Sequence, residues 1–211
     1  RRLAAAVEGL DLADPVVLAL PRGGVPVGYE VARRLHAPLD ILLVRKIGAP
    51  GHEEYGIGAV IDGASPQIVI DEQAARAVGA NQAYIEQEAG RQLAEIERRR
   101  AAYCTGEPVR LGGRNLILVD DGIATGGTVK VALKALASAG AASVTLAVPL
   151  APESVMRDLR RMCNRIVCLA IPEPFYAVGA HYRDFSQTTD AEVVTLLDRA
   201  RSSSVVEGEK R

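Results

Sequence analysis

Five short apolar runs set the limits on this chain. They are VVLAL at 16–20, LDILLV at 39–44, NLILV at 115–119, SVTLAVPL at 143–150 and RIVCLAI at 165–171. None alternates apolar with polar residues along its length. Continuous runs of this kind belong to strands buried on both faces, as in parallel sheets covered by helices. Helical patterns lie between them. Residues 25–36 follow the first run. Residues 127–140 follow the third, with Val129, Ala132, Leu133 and Leu136 on one face and Gly140 as a stop. Residues 151–162 follow the fourth, with Pro152 suited to a first helical turn. Strand–helix alternation specifies an α/β fold, an open and mostly parallel sheet flanked by helices.

Residues 71–104 break the rhythm and read as a helical insertion. DEQAARAV makes a short helix stopped at Gly79. Asn81 then caps a long helix to about Tyr103, with Ile85, Ala89, Leu93 and Ile96 as its apolar stripe and Glu95 paired to Arg99. Residues 61–70 form a hairpin-like excursion, and 104–113 link back to the sheet. The reading is one domain over 1–200, with a small C-terminal hood or flap at 172–190 and a frayed tail at 201–211. Residues 1–10 read as an amphipathic helix already under way, so the natural N-terminus is expected upstream.

Composition removes several classes. Hydrophobic residues make up 48% of the 211, enough for a full core, and the net charge of −1 lacks the basic excess of a non-specific nucleic-acid binder. No apolar run approaches the ~20 residues of a membrane span. The three cysteines, Cys104, Cys163 and Cys168, form no C-x-x-C pair. They read as half-buried thiols in a reducing cytoplasm rather than as disulfides or a zinc site.

The most chemical stretch is NLILVDDGIATGGT, 115–128. A buried strand runs into two adjacent acids, Asp120 and Asp121, at the carboxyl end where ligands of open α/β sheets bind. The amides of Gly126, Gly127 and Thr128 open the next helix and form an anion site suited to phosphate. The hydroxyls of Thr125 and Thr128 add donors. Carboxylates beside a phosphate would repel it unless they face hydroxyls. A sugar phosphate satisfies both, with its phosphate in the loop and its ribose diol on the acids. A Walker A reading fails because Thr128 stands where the clamping Lys should be.

LILVDDGIATGGT resembles the phosphoribosyl-pyrophosphate (PRPP) motif of type I phosphoribosyltransferases, and the resemblance extends over roughly 15–190. It is strongest to a bacterial group without a settled substrate. The resemblance implies that Asp120 and Asp121 hold the ribose hydroxyls, and that Ala124, Thr125, Gly126, Gly127 and Thr128 hold the 5′-phosphate. It implies a Mg²⁺ cofactor carried mainly by PRPP, reached through Asp120 or Asp121 and water, with no all-protein metal cage. In LPRGG, 20–24, it implies that Arg22, Gly23 and Gly24 receive pyrophosphate across a cis Pro21–Arg22 bond.

Arg45 and Lys46 end the second run, one of them toward the site, where a cation balances departing pyrophosphate. The Gly-rich loop 47–58 reads as a mobile lid. His52, Glu53 and Glu54 either reach the site on closure or form a solvated tip. Of two Phe and six Tyr in the chain, Phe175, Tyr176, Tyr182 and Phe185 fall in 172–187. The resemblance makes this the base-binding segment, with Tyr176 stacking, Phe175 as its substitute and Val178 beside them; Asp184 is out of step with the family pattern by one residue. Ala124 stands where 6-oxopurine enzymes of the family carry an Asp, which points away from hypoxanthine and guanine.

The expected function is Mg²⁺-dependent transfer of ribose 5-phosphate from PRPP to a nitrogen acceptor, a nucleobase, by a cytoplasmic homodimer with no nucleic-acid or membrane partner. A non-catalytic PRPP sensor is the alternative, and turnover of another sugar phosphate a third reading.

Overall fold

The computed structural model describes residues 1–62, 66–103 and 109–208. Five strands form one parallel sheet: β1 (Pro15–Ala19), β2 (Leu39–Ile41), β6 (Asn115–Val119), β7 (Ser143–Leu150) and β8 (Arg165–Ala170), in the order β2-β1-β6-β7-β8. Their side chains fill two apolar layers. Val17, Ala19, Ile117 and Val119 face one side, and Val16, Leu18, Leu116 and Leu118 the other. Helix α5 (Gly127–Ser138) buries Val129, Ala132, Leu133 and Leu136 as its pattern requires, and Gly140 follows with φ +71°. Helices α1 (Arg2–Glu8), α2 (Gly24–Leu35) and α6 (Glu153–Leu159) complete the expected set.

The strand order places a switch point at the centre. After β1 the chain crosses through α2 to β2 on one side; after β6 it crosses through α5 to β7 on the other. The turns leaving β1 and β6 diverge from adjacent strand ends, which opens a crevice between them. Leu20 N–H donates to the Val119 carbonyl at 2.9 Å, so the two turns start in contact.

The run 39–44 is not one strand. It leaves the parallel sheet after Ile41, and β3 (Val44–Ala49) begins a second sheet. That sheet is antiparallel, β3-β4-β5, with β4 at His52–Ile61 and β5 at Gln67–Ile70. The switch is enforced by hydrogen bonds. Leu43 N–H donates to the Asp62 carboxylate at 2.7 Å, and Asp62 N–H donates to the Leu43 carbonyl at 3.0 Å. Segment 47–58, read as an open loop, is therefore mostly a β-hairpin turning at Pro50–Gly51. The excursion at 61–70 is its third strand, with 63–65 outside the described residues.

The insertion has a structural task. Helix α3 (Glu72–Ala77) is capped by Asp71, and α4 (Gln82–Tyr103) by Asn81, whose side chain accepts from Tyr84 N–H at 2.9 Å. Helix α4 braces the hairpin along its length. Tyr84 hydroxyl donates to the Gly48 carbonyl at 2.9 Å, and Arg45 Nε donates to Gln92 at 3.0 Å. At the base, Arg100 bridges Asp62 and the buried Asp40 of β2. Burial nevertheless pushes the Asp62 carboxyl up to about 6, against the opposing pull of Arg100. Cys104, in the linker, lies outside the described residues.

One helix was not expected. Helix α7 (Asp190–Gly208) runs into the segment read as a frayed tail and buries Val193 and Leu197. A capping box starts it: Glu192 N–H donates to Thr189 Oγ1 at 3.2 Å, and Thr189 N–H donates to Glu192 Oε2 at 2.7 Å.

Candidate active site

Two helix N-termini face the switch point, and neither has a side-chain cap. Helix α2 starts after Gly23, and α5 after Gly126, which takes φ +77°. The first amides of α5 have no intrahelical acceptor, whereas at α2 the Gly24 and Val25 N–H groups already donate to the Leu20 and Arg22 carbonyls, both at 3.0 Å. The helix dipole adds positive potential at each end. Both ends thus favour anions. Asp120 and Asp121 stand between them at the end of β6.

The acids and the glycine turn are fitted together closely. A Cβ built on Gly23 would fall inside the Asp121 carboxylate. One on Gly24 would lie 2.8 Å from the Val119 carbonyl and 3.1 Å from the Asp120 Cα. Only glycine permits this approach. Asp121 N–H donates to Asp120 Oδ1 at 2.9 Å. Burial first, then the Asp121 charge, pushes the Asp120 carboxyl up to about 7. Burial also raises Asp121. The pair is an all-oxygen donor set whose own charge is disfavoured by burial. A hard divalent cation arriving on phosphate oxygens fits such a set, as do the hydroxyls of a diol.

One cavity opens at the mouth of α5 and another beside Asp121. The first, of about 780 Å³, reaches Thr125, Gly127 and Thr128 and runs under the hairpin past Arg45, Lys46 and Glu53. The other, also about 780 Å³, is bounded by Arg22, Gly23 and Asp121 and by Tyr182, Asp184 and Phe185 of the flap. Residues 1–175 match the family model for the phosphoribosyl transferase domain. The chain belongs to that family. It is 43% identical over 201 residues to a protein of Mycobacterium tuberculosis (strain ATCC 25618 / H37Rv) provisionally named a phosphoribosyl transferase, covering 95% of this chain and 45% of that one. The same figures hold for the counterpart from strain CDC 1551 / Oshkosh. The chain thus spans about half the length of the curated relatives it matches. A crystal structure of TT1426 from Thermus thermophilus is 42% identical, covers 93% of this chain and 92% of its own, and gives a TM-score of 0.80.

Against the phosphoribosyl transferase motif, the structure brings most of the named residues together. Arg22, Gly23, Gly24, Asp120, Asp121 and the loop 124–128 all border the switch point. The Pro21–Arg22 peptide is cis, as the resemblance implies. Arg22 is held on its outer side: its guanidinium lies 3.5 Å from Asp190 at the start of α7, and Tyr103 of α4 donates to the same carboxylate at 2.7 Å. That hydrogen bond, joined by the Arg22 charge, lowers the Asp190 carboxyl below its usual range.

The two cations of β3 take different positions along one cleft. Arg45 turns to Gln92 on α4, while the Lys46 stem crosses Gly56 of β4, where a Cβ would meet its Cδ at 3.1 Å. His52 and Glu53 are exposed at the hairpin turn.

The flap disperses its aromatic residues. Phe175 stacks on His181 with centroids 5.7 Å apart. Tyr176 is 81% exposed and lines neither cavity. Val178 packs on Gly122, where a Cβ would lie 2.7 Å from its Cγ1. Tyr182 touches the site, Asp190 its arginine and Tyr103 that aspartate, and the sequence alone assigned them no role. The capping box at Thr189 could have located Asp190. A tyrosine hydroxyl bonded to a backbone carbonyl leaves no sequence signal.

Proposed function

We propose that this chain transfers ribose 5-phosphate from PRPP to a nitrogen acceptor, a nucleobase, with release of pyrophosphate. The observation that carries the reading is the pair of uncapped helix N-termini set on either side of two adjacent carboxylates. PRPP has the matching order of groups: phosphate, diol-bearing ribose, pyrophosphate. The amides of residues 124–128 receive the 5′-phosphate, with the hydroxyls of Thr125 and Thr128. Asp120 and Asp121 accept hydrogen bonds from the 2′- and 3′-hydroxyls. Arg22 and the amide of Gly23 receive pyrophosphate, and Gly24, whose own N–H donates to the Leu20 carbonyl at 3.0 Å, lets the turn lie close against the acids.

The C1′–O bond to pyrophosphate breaks with its electron pair leaving on oxygen, and the acceptor nitrogen forms the new bond to C1′. The nitrogen's proton passes to solvent or to the leaving group. This chain's residues act by position and charge. Arg22 stabilises negative charge as it builds on the leaving oxygens; Arg45 and Lys46, which line the cavity at the mouth of α5, act on that charge when the hairpin closes over the site. Asp120 or Asp121, through water, would help hold Mg²⁺ carried by PRPP, which would supply charge neutralisation to the leaving pyrophosphate. Tyr176 supplies a face for the base, with Phe175 and Val178 beside it. Stacking of one base on an aromatic side chain contributes about 1–3 kcal/mol. The hairpin braced by α4 is the cover over the phosphate side. Residues 1–200 act as one domain, and the reading includes a cytoplasmic homodimer, which sedimentation equilibrium tests.

The deciding experiment is PRPP-dependent pyrophosphate release across a panel of nucleobases. The expected result is release with one base and none without Mg²⁺, with adenine-, orotate- or uracil-type acceptors ahead of hypoxanthine and guanine. Tight PRPP binding with no release from any base would overturn the transferase reading and assign a sensor.

A further inference from the structure

The flap, residues 172–189, lies between β8 and α7 and contains little regular structure beyond the 3₁₀ turn at Val178–His181. Such a segment is a poor platform for a flat ligand unless something fixes it. Four contacts do so. Val178 sits on Gly122, the residue after the acid pair. Phe185 folds back on Gly179, where a Cβ would come within 2.6 Å of its ring. Tyr182 packs on Phe185 with centroids 5.1 Å apart and planes at 45°. From there its hydroxyl donates to the backbone carbonyl of Asp121.

The last contact differs in kind from the others. Packing of Val178 holds the flap near the loop, but a directional hydrogen bond fixes its distance and angle. The acceptor is the carbonyl of the residue whose carboxylate faces the ribose. We infer that Tyr182 is a positioning residue that latches the flap onto the acid-bearing loop and so sets the acceptor surface at Phe175–Val178 relative to the sugar. The inference rests on the proposed reading of the flap as acceptor-binding.

Tyr182→Phe removes only the hydroxyl and keeps the ring on Phe185. Loss of one hydrogen bond of ordinary strength predicts amide hydrogen exchange about five- to tenfold faster in residues 175–185, with β6 and α2 unchanged. The Kd for PRPP with Mg²⁺ is expected within about threefold of the parent, because the bond removed is to the Asp121 carbonyl and not to the carboxylate that faces the ribose. With the nucleobase that the parent uses, acceptor KM is expected to rise about tenfold while kcat stays within about threefold, the pattern of lost positioning of that ligand. Unchanged exchange in the flap would overturn the latch. Faster exchange with an unchanged acceptor KM would overturn its role in placing the acceptor. The exchange measurement needs no substrate, so it decides the latch even if the parent releases no pyrophosphate with any base, a result that would count against the proposed function instead.

Discussion

The two turns at the switch point share a location and differ in construction. The turn leaving β1 has a cation, Arg22, and two glycines that admit the neighbouring acids. The turn leaving β6 has two carboxylates, then a glycine in the left-handed region and hydroxyl donors. Each ends on an uncapped helix that favours anions. The first turn therefore makes room, and the second supplies charge. Glycine is needed in one because another loop's side chain occupies the space, and in the other because the backbone must bend with φ +77°.

The largest expected effect comes from removing the charge of the second turn. Asp120 and Asp121 both changed to Asn keep their shape but lose charge-assisted bonds, each typically about 1.5–3 kcal/mol. PRPP affinity, measured by calorimetry with Mg²⁺, is expected to fall by about tenfold or more per acid. An unchanged affinity would remove the acids from the site.

A smaller pair of effects separates the two glycines of the first turn. Gly24→Ala drives a methyl into the Val119 carbonyl and the Asp120 backbone, which cannot swing away. It is expected to cost about 1–3 kcal/mol of stability in denaturant unfolding. Gly23→Ala meets only the Asp121 carboxylate, which can move. That variant is expected to fold nearly as well as the parent and to bind PRPP about tenfold more weakly, the cost of one displaced acid. Equal loss of stability in both variants would contradict the division.

The smallest effect is a pH slope. Asp120 holds its proton in the folded chain up to about pH 7, while in the unfolded chain it loses it near an ordinary carboxylate pKa. Its contribution to stability is therefore full below that lower value and is lost as pH rises through about 7. Asp62, raised to about 6, contributes with the same sign and is present in both proteins compared. Asp120→Asn is expected to shrink the fall in ligand-free Tm between pH 5 and pH 8 by about 2–4 °C. An identical fall in the variant would place the buried proton elsewhere.

The same contrast explains what the sequence made legible. The turn after β6 could be read because its chemistry is local: strand, acids, glycines and hydroxyls follow one another within 115–128. The turn after β1 needed its position in the fold and a family resemblance, since the atoms that require its glycines belong to Val119, Asp120 and Asp121, about a hundred residues later. The second sheet was hidden for a different reason. LDILLV is apolar throughout, so its pattern carries no mark where the chain leaves one sheet for the other, and the Asp62 carboxylate that turns it lies beyond the hairpin. The glycines of 47–58 suggested a loop, yet Gly48 and Gly58 sit within paired strands, where the backbone of the adjacent strand approaches too closely for a side chain. Helix α7 was legible in principle from Thr189 and Glu192.

The central claim is that the acid pair recognises a ribose diol between two anion sites. Its most direct test compares ribose 5-phosphate with 2-deoxyribose 5-phosphate by calorimetry, in the parent and in the Asp120→Asn, Asp121→Asn double variant. Both sugars carry the phosphate, so the α5 site is held constant and only the hydroxyl differs. The account predicts that the parent prefers ribose 5-phosphate by about tenfold, the worth of one charge-assisted hydrogen bond, and that the double variant binds the two sugars within about twofold. Equal binding of the two sugars by the parent, or an undiminished preference in the double variant, would contradict it.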